Sequence, residues 1–380
     1  MSLTAEDAHF MARALRLAQR GLYSTRPNPA VGCVLVNSGR IVGEGWHKKA
    51  GGPHAEVLAL RQAGAQAQGA TAYVTLEPCS HWGRTPPCAQ SLVDAGVARV
   101  VVAMVDPNPQ VQGQGIAWLR RHGIQVDIGL MADEARQLNA GFVKAMTEGL
   151  PYVRLKLATS LDGKVAAADG SSQWISAEAA RYQGHLLRAR SGAVVTGIGT
   201  VLADDPLLNV RLPEEKCEAL GLDEALCHPL RVVLDSRLSM PQTASMLQLP
   251  GTTLIATSEQ ALTENKATVN ALRTLGAEVV AFSQQKGEPI DLRSLLHHLT
   301  TEYAVRDVLL EAGPRLSGAA MAYDVVDEVH WFQADCVLGD EGLDVLHLPA
   351  VRTLSDKLCW QRIQQRRVGQ DSWHILQRRR

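Results

Sequence analysis

Apolar residues at Met11, Ala14, Leu15, Ala18 and Leu22 follow a helical spacing, which predicts a packing helix over residues 5–20 with Gly21 placed to end it. Pro27-Asn28-Pro29 then leads into two apolar runs, residues 31–36 and 41–47. The turn Asn37-Ser38-Gly39 separates them, so the pair predicts a β-hairpin. A second helical pattern starts at His54, continues through Val57, Leu58 and Leu60, and stops at Gly64. Beyond it the periodicity alternates: strand 71–77, a helix from Cys88 to near Gly96, strand 99–105, helix 116–122, strand 124–128 and helix 133–148. Strands alternating with helices predict a three-layer α/β/α domain.

Gly149-Leu150-Pro151 is the best boundary, dividing the chain into expected domains 1–149 and 150–380. A fresh strand pattern begins at once, over 152–158, followed by helix 177–190, strands 193–196, 231–235, 252–256 and 278–282, helix 292–303 and strand 307–311. Residues 213–229 are charged and irregular, and are expected to form an inserted loop. Arg181, His185 and Arg188 share one face of the helix at 177–190, a spacing that usually marks a solvated face.

At 380 residues the chain is too long for one ordinary core, and 46% hydrophobic content makes it globular. A formal net charge of -1 and a sequence pI of about 6.9 give no overall field to gather nucleic acid, so none is expected as a partner. The N-terminus carries acidic residues and no apolar core, unlike a secretory signal. The longest strongly apolar run, 100–105, is too short to span a bilayer, so no membrane association is expected. Seven scattered cysteines do not resemble a disulfide framework, which points to a cytoplasmic protein. The oligomeric state stays open, a homo-oligomer included.

Chemistry concentrates between residues 54 and 88. His54, Cys79 and Cys88 supply one imidazole and two thiolates, the three protein ligands of an open zinc site whose fourth position is left for water. Glu56, two residues from His54, can sit beside that water without binding the metal and act as the proton carrier. The competing interpretation is a closed structural zinc site with His81 as fourth ligand, but such a site has no use for Glu56. His54 and Cys88 each open a helical pattern, so two helix N-termini are expected at the metal. One zinc per chain follows.

Eight residues separate the two cysteines, unlike the common Pro-Cys-x-x-Cys pattern of zinc deaminases. The intervening Ser80-His-Trp-Gly-Arg-Thr-Pro-Pro87, with Pro27-Asn28-Pro29-Ala30-Val31-Gly32, His54-Ala55-Glu56-Val57 and Asp106-Pro-Asn-Pro109, resembles the deaminase half of the bifunctional riboflavin-biosynthesis deaminase and reductase family. Lys156-Leu-Ala-Thr-Ser-Leu-Asp-Gly163, Ser172-Gln-Trp-Ile-Ser176, Gly197-Ile-Gly-Thr-Val-Leu-Ala-Asp-Asp-Pro206 and Glu311-Ala-Gly-Pro314 resemble its reductase half. The resemblance covers nearly the whole chain in order, thinning over 213–229 and beyond Ala334. It implies a cytidine-deaminase-like N-terminal domain and a dihydrofolate-reductase-like C-terminal domain. It also implies deamination of a phosphorylated ribosylamino diaminopyrimidinone, a small-molecule substrate, and then NADPH-dependent reduction of the ribosyl chain to ribityl.

The resemblance further implies roles for single residues. Asn28, which by its type alone could be turn chemistry, becomes a contact to the substrate amide, and Arg84, otherwise a solvated loop arginine, becomes a phosphate clamp assisted by His81. Gly197-Ile-Gly199 lacks the third glycine of the usual dinucleotide fingerprint, so pattern alone does not indicate a nicotinamide cofactor. By resemblance Ala158, Thr159, Trp174, Thr200, Asp204, Ser236 and Gly313 line an NADPH site, and Ser172, Arg188, Leu208, Arg211 and Glu311 meet the substrate, with the two arginines near its phosphate. Lys156, Asp204 and Glu311 are the residues expected to orient and protonate the ring-opened imine, although a buried lysine and carboxylate are also a common structural pair.

Two other functions compete. A nucleic-acid base deaminase would need an aromatic-interleaved basic face, which the sequence lacks. A non-enzymatic nucleotide-binding module with structural zinc would have no reason to place a carboxylate at Glu56.

Overall fold

The computed structural model describes residues 3–80, 87–283, 290–348 and 353–379. They form two compact units, Met1–Gly149 with Glu214–Leu222, and Leu150–Pro213 with Asp223–Arg380.

In the first unit the elements are α1 (Ala5–Gln19), β1 (Gly32–Asn37), β2 (Arg40–Trp46), α2 (Ala55–Ala63), β3 (Thr71–Val74), α3 (Cys88–Asp94), β4 (Arg99–Val102), α4 (Gln114–Arg121), β5 (Gln125–Ile128), α5 (Ala132–Leu138) and α6 (Ala140–Glu148). The sheet order is β2-β1-β3-β4-β5, antiparallel across β1 and parallel from β3 to β5. Alternation along β1 feeds two cores: Cys33 and Leu35 pack with Ala55, Ala59 and Leu92, while Val34 and Val36 pack with Met11, Ala14 and Tyr73. These are the three layers expected.

Close backbone approach sets α2 in place. A Cβ on Gly45 would stand 2.2 Å from the Ala55 carbonyl oxygen, and one on Gly43 2.2 Å from that of Ala59, so only glycine lets the helix lie this near β2. The helix expected over 133–148 is broken at Asn139. Its side chain accepts from the Ala30 amide (2.8 Å) and donates to the Ala30 carbonyl (2.9 Å), tying the break to the segment that leads into β1.

The second unit contains β6 (Tyr152–Thr159), β7 (Lys164–Ala166), α7 (Glu178–Arg190), β8 (Ala193–Gly197) and α8 (Ile198–Asp204). The inserted segment is not simply a loop: it holds α9 (Glu214–Leu220), which groups with the first unit, and α10 (Glu224–Cys227), capped by the Asp223 side chain. There follow β9 (Leu230–Leu234), β10 (Thr253–Ser258), α11 (Glu259–Glu264), α12 (Lys266–Thr274), β11 (Ala277–Phe282), α13 (Leu292–Glu302), β12 (Asp307–Leu310), α14 (Pro314–Ala322), β13 (Glu328–Gln333), β14 (Leu343–Asp344), β15 (Trp360–Val368) and β16 (Asp371–Arg378). Nine strands make one sheet, β11-β10-β9-β8-β12-β6-β13-β16-β15, parallel as far as β13 and antiparallel through β16 and β15. A core covers each face. Among the described residues no helix is long and apolar enough to cross a membrane.

Candidate active sites

His54 is the N-cap of α2, Cys88 is the first residue of α3, and Cys79 lies on the segment leaving β3. The three converge: His54 Nδ1 is 3.2 Å from Cys88 Sγ and 3.6 Å from Cys79 Sγ, and the Cys88 amide donates to Cys79 Sγ (3.4 Å). Tetrahedral zinc with ordinary Zn–N and Zn–S bonds separates nitrogen from sulfur by about 3.6 Å, so this donor set fits the ion. Among the described residues His54, Cys79 and Cys88 form the one such cluster. Between the two thiols, the interaction with Cys88 leads in lowering Cys79 below the usual thiol range, and the same interaction, with burial, raises Cys88.

Glu56 follows in the first turn of α2 with 3% of its surface exposed. Burial, then the Cys79 thiolate, push its carboxyl up to about 7, where it can both take and return a proton. A bound cation would draw that value down.

Two residues absent from the expected set shape this site. His47, buried at the end of the hairpin, contacts Asn28 Nδ2 through Nε2 (3.1 Å) and the Pro53 carbonyl through Nδ1 (3.1 Å). With Nδ1–H donating to Pro53, Nε2 accepts from Asn28 and the Asn28 side-chain oxygen is left for a ligand. Glu77 is also buried. Its carboxylate accepts from four backbone amides, Asp106, Gly113, Gly115 and Ile116 (2.9–3.2 Å), and so fastens the start of α4 and the Asp106–Pro109 loop to the segment carrying Cys79. No residue type marks it in the sequence, because its partners are backbone amides 29 to 39 positions further on. His81 and Arg84 lie outside the described residues.

In the second unit Lys156 points from β6 beneath Gly184 of α7, and Glu311 follows β12, the neighbouring parallel strand. Glu311 accepts a two-pronged pair from Arg188 (Nε 2.6 Å, Nη2 2.9 Å), while Arg188 Nη1 donates to the Asn209 carbonyl (3.1 Å). Burial opposes the charge on Glu311, but Arg188, then Lys156, hold it ionised at about 2. Burial lowers the Lys156 ammonium, opposed by Glu311 and reinforced by Arg188. Asp204 lies exposed at the end of α8. Arg211 donates to the Asn209 side chain (2.7 Å), and Leu208 is buried with a side chain that has no polar atom.

The cofactor candidates gather at the C-terminal ends of the parallel strands, where open α/β sheets bind ligands. Ala158 and Thr159 end β6, the Thr200 hydroxyl accepts from the Gly313 amide (3.2 Å), and the Ser236 carbonyl accepts from Ser258 (2.8 Å). Thr159 itself is fully buried and bonded to Trp331 (2.8 Å), so its hydroxyl is committed to the core. Trp174 is 68% exposed, with the Arg181 guanidinium 4.5 Å from its ring centre. No atom lies within 4 Å of where a Cβ on Gly199 would stand, and Gly313 caps the N-terminus of α14. Open space beside a helix N-terminus suits dinucleotide phosphates.

Residues 4–104 match the cytidine and deoxycytidylate deaminase zinc-binding region, and residues 151–371 match the RibD C-terminal domain. Curated relatives include the riboflavin biosynthesis protein RibD of Escherichia coli K12, 47% identical over 96% of this chain and 98% of that protein. The Haemophilus influenzae protein of the same name is 43% identical over 98% and 97%. Among solved structures, Acinetobacter baumannii RibD is 44% identical over 99% of both chains with a TM-score of 0.88. A Thermotoga maritima diaminohydroxyphosphoribosylaminopyrimidine deaminase/5-amino-6-(5-phosphoribosylamino)uracil reductase is 32% identical over 98% and 99%, with a TM-score of 0.82.

Proposed function

The chain belongs to the RibD family of bifunctional deaminases and reductases of riboflavin biosynthesis, which use zinc and NADPH, and from that premise we propose how its own residues divide the two reactions. The substrate of the first step is a diaminopyrimidinone carrying a ribosylamino 5'-phosphate. Held by His54, Cys79 and Cys88, zinc supplies the Lewis acidity that makes water nucleophilic at neutral pH. Asn28 offers its side-chain oxygen to the ring's N–H edge, fixed in that orientation by His47. Glu56 takes a proton from water as oxygen bonds to the amine-bearing carbon and passes it to the ring nitrogen, then takes the second proton from the added hydroxyl and gives it to the departing amine as the C–N bond breaks and ammonia leaves. Arg84 and His81 serve the phosphate.

In the second step the ribosylamino group opens to an imine; Ala158, Thr159, Trp174, Thr200, Asp204, Ser236 and Gly313 would hold NADPH, which would supply the hydride for the imine carbon. Lys156 gives the proton to nitrogen, while Glu311, kept ionised and aimed by Arg188, and Asp204 orient the opened chain. Arg188 and Arg211 meet the substrate phosphate, with Ser172 and the Leu208 backbone beside it. The protein works in the cytoplasm on a small phosphorylated pyrimidine rather than on nucleic acid, and the two domains are 1–149 and 150–380.

The observation that carries this reading is the convergence of His54, Cys79 and Cys88 beside buried Glu56. Ammonia release and NADPH oxidation on the phosphorylated pyrimidine test it together. Both should proceed in that order, and chelation should stop both on this substrate while leaving NADPH oxidation on the deaminated intermediate intact. NADPH oxidation without prior ammonia release would contradict the assignment.

A further inference from the structure

The loop after α8 has an unusual backbone. Asp205 and Leu208, neither of them glycine, adopt left-handed conformations with φ of 41° and 52°. Such residues persist only where their surroundings over-determine them. At one end the Asp205 carboxylate accepts from the Ser245 amide (2.8 Å) and hydroxyl (2.5 Å). At the other, the Arg211 amide donates to Nδ1 of His185 on α7 (3.2 Å). Between these anchors Asn209 receives both guanidinium groups, Arg188 on its carbonyl and Arg211 on its side-chain oxygen. His185 therefore ties α7 to the short stretch of loop that aims both arginines.

We propose that His185 is a positioning residue of the reductase site: its Nδ1 accepts the Arg211 amide and so holds Asn209, Arg188 and Arg211 in the geometry that receives the substrate phosphate. This rests on the phosphate assignment of the two arginines made above. Accepting at Nδ1 requires a neutral ring with its proton on Nε2. The surroundings enforce neutrality. Burial, then Arg188 on the same helix and Arg211 on the loop, hold the ring at about 4, against the weaker pull of Glu311 and the Asn209 carbonyl. A protonated ring would set a donor against the Arg211 amide and bring a third cation beside two guanidiniums. Helical periodicity placed His185 on a face with Arg181 and Arg188; the loop that covers it is too distant in sequence to have been read from that pattern.

The test is steady-state reduction of the deaminated intermediate and of its dephosphorylated counterpart by four variants. Asparagine places an acceptor near the position of Nδ1, and glutamine reaches only that of Nε2. His185→Leu should raise KM for the phosphorylated intermediate about tenfold, the scale of one well-placed hydrogen bond, with kcat within about twofold and the dephosphorylated KM nearly unchanged. His185→Asn should restore most of the loss, and His185→Gln should not. Reduction of the dephosphorylated intermediate by the same variants reports a folded second unit, and ammonia release reports a folded first one. An unchanged KM in His185→Leu, a loss confined to kcat, an equal loss with both substrates, or rescue by glutamine rather than asparagine would each overturn the proposal. If His185→Leu loses reductase folding altogether, the asparagine and glutamine variants still decide between the two nitrogens. Arg211→Met separates the two levels. If it raises the phosphorylated KM where His185→Leu does not, only the role of His185 fails; if it leaves that KM unchanged, the phosphate assignment fails and takes the proposal with it.

Discussion

Cys88 opens α3 with its thiol against His54 and Cys79, so Cys88→Ser replaces one of three soft donors with a weak oxygen. Metal analysis should find zinc lost, and ammonia release should fall at least about a hundredfold while NADPH oxidation on deaminated intermediate is kept. These ligands were legible in the sequence because ligand chemistry restricts residue type: few arrangements of one histidine and two cysteines leave a glutamate two positions from the imidazole. His47 and Glu77 were not legible. Each acts through backbone groups, Pro53 for one and four amides around α4 for the other, and backbone partners leave no trace in residue identity. Thr159 is a subtler case, since the motif it belongs to assigns it to the cofactor while its hydroxyl turns to Trp331.

At the level of the elements, α1 is pinned to its sheet by one buried carboxylate. Asp7 closes the capping box with Thr4 and accepts from Tyr73 on β3 (2.8 Å) and Arg99 on β4 (2.7 Å). Burial opposes its charge, yet Arg99, Thr4 and Tyr73 hold its carboxyl well below the usual range. A carboxylate depressed in the folded state contributes stability above its unfolded pKa of about 3.9, and that contribution is lost as pH falls through the lower folded value. Asp7→Asn should therefore destabilise the protein by about 2 kcal/mol between pH 5 and 8, and the gap to the parent in denaturant unfolding should shrink below about pH 4. A gap that widens on acidification would contradict this. At the start of α4, a Cβ on Gly115 would stand 1.9 Å from the Pro78 carbonyl oxygen. Gly115→Ala should push the segment bearing Cys79 out of place, weakening zinc retention against a chelator about tenfold or more, with reduction intact. The hairpin β1–β2 was legible because Asn37-Ser38-Gly39 punctuates two apolar runs. The hairpin β15–β16 was not, because β15 is an edge strand whose side chains are exposed almost throughout and which carries no alternation to read. The break between α5 and α6 likewise depends on Asn139 reaching Ala30, more than a hundred positions away.

Across the whole molecule, the two chemistries reside in different units, and each follows from what its sheet presents. The first offers a soft metal site beside a buried carboxylate, and the second an ion-paired cluster of Lys156, Glu311 and Arg188 near the C-terminal ends of parallel strands. If Arg237, exposed just after Ser236, meets the additional phosphate of NADPH, the specificity constant for NADPH should exceed that for NADH, and Arg237→Ala should narrow the difference. Comparable constants for the two cofactors in the parent would count against that placement. The central claim, two separable reactions with Glu56 as the proton carrier of the first, is tested most directly by Glu56→Gln. Glutamine keeps the shape of the side chain and leaves His54, Cys79 and Cys88 untouched, so zinc should stay bound. Ammonia release should fall by about ten-thousandfold, the upper range for a general acid–base group that acts in successive transfers, while NADPH oxidation on deaminated intermediate continues at close to the parent rate. Ammonia release within about tenfold of the parent, or loss of both activities with zinc retained, would contradict the account.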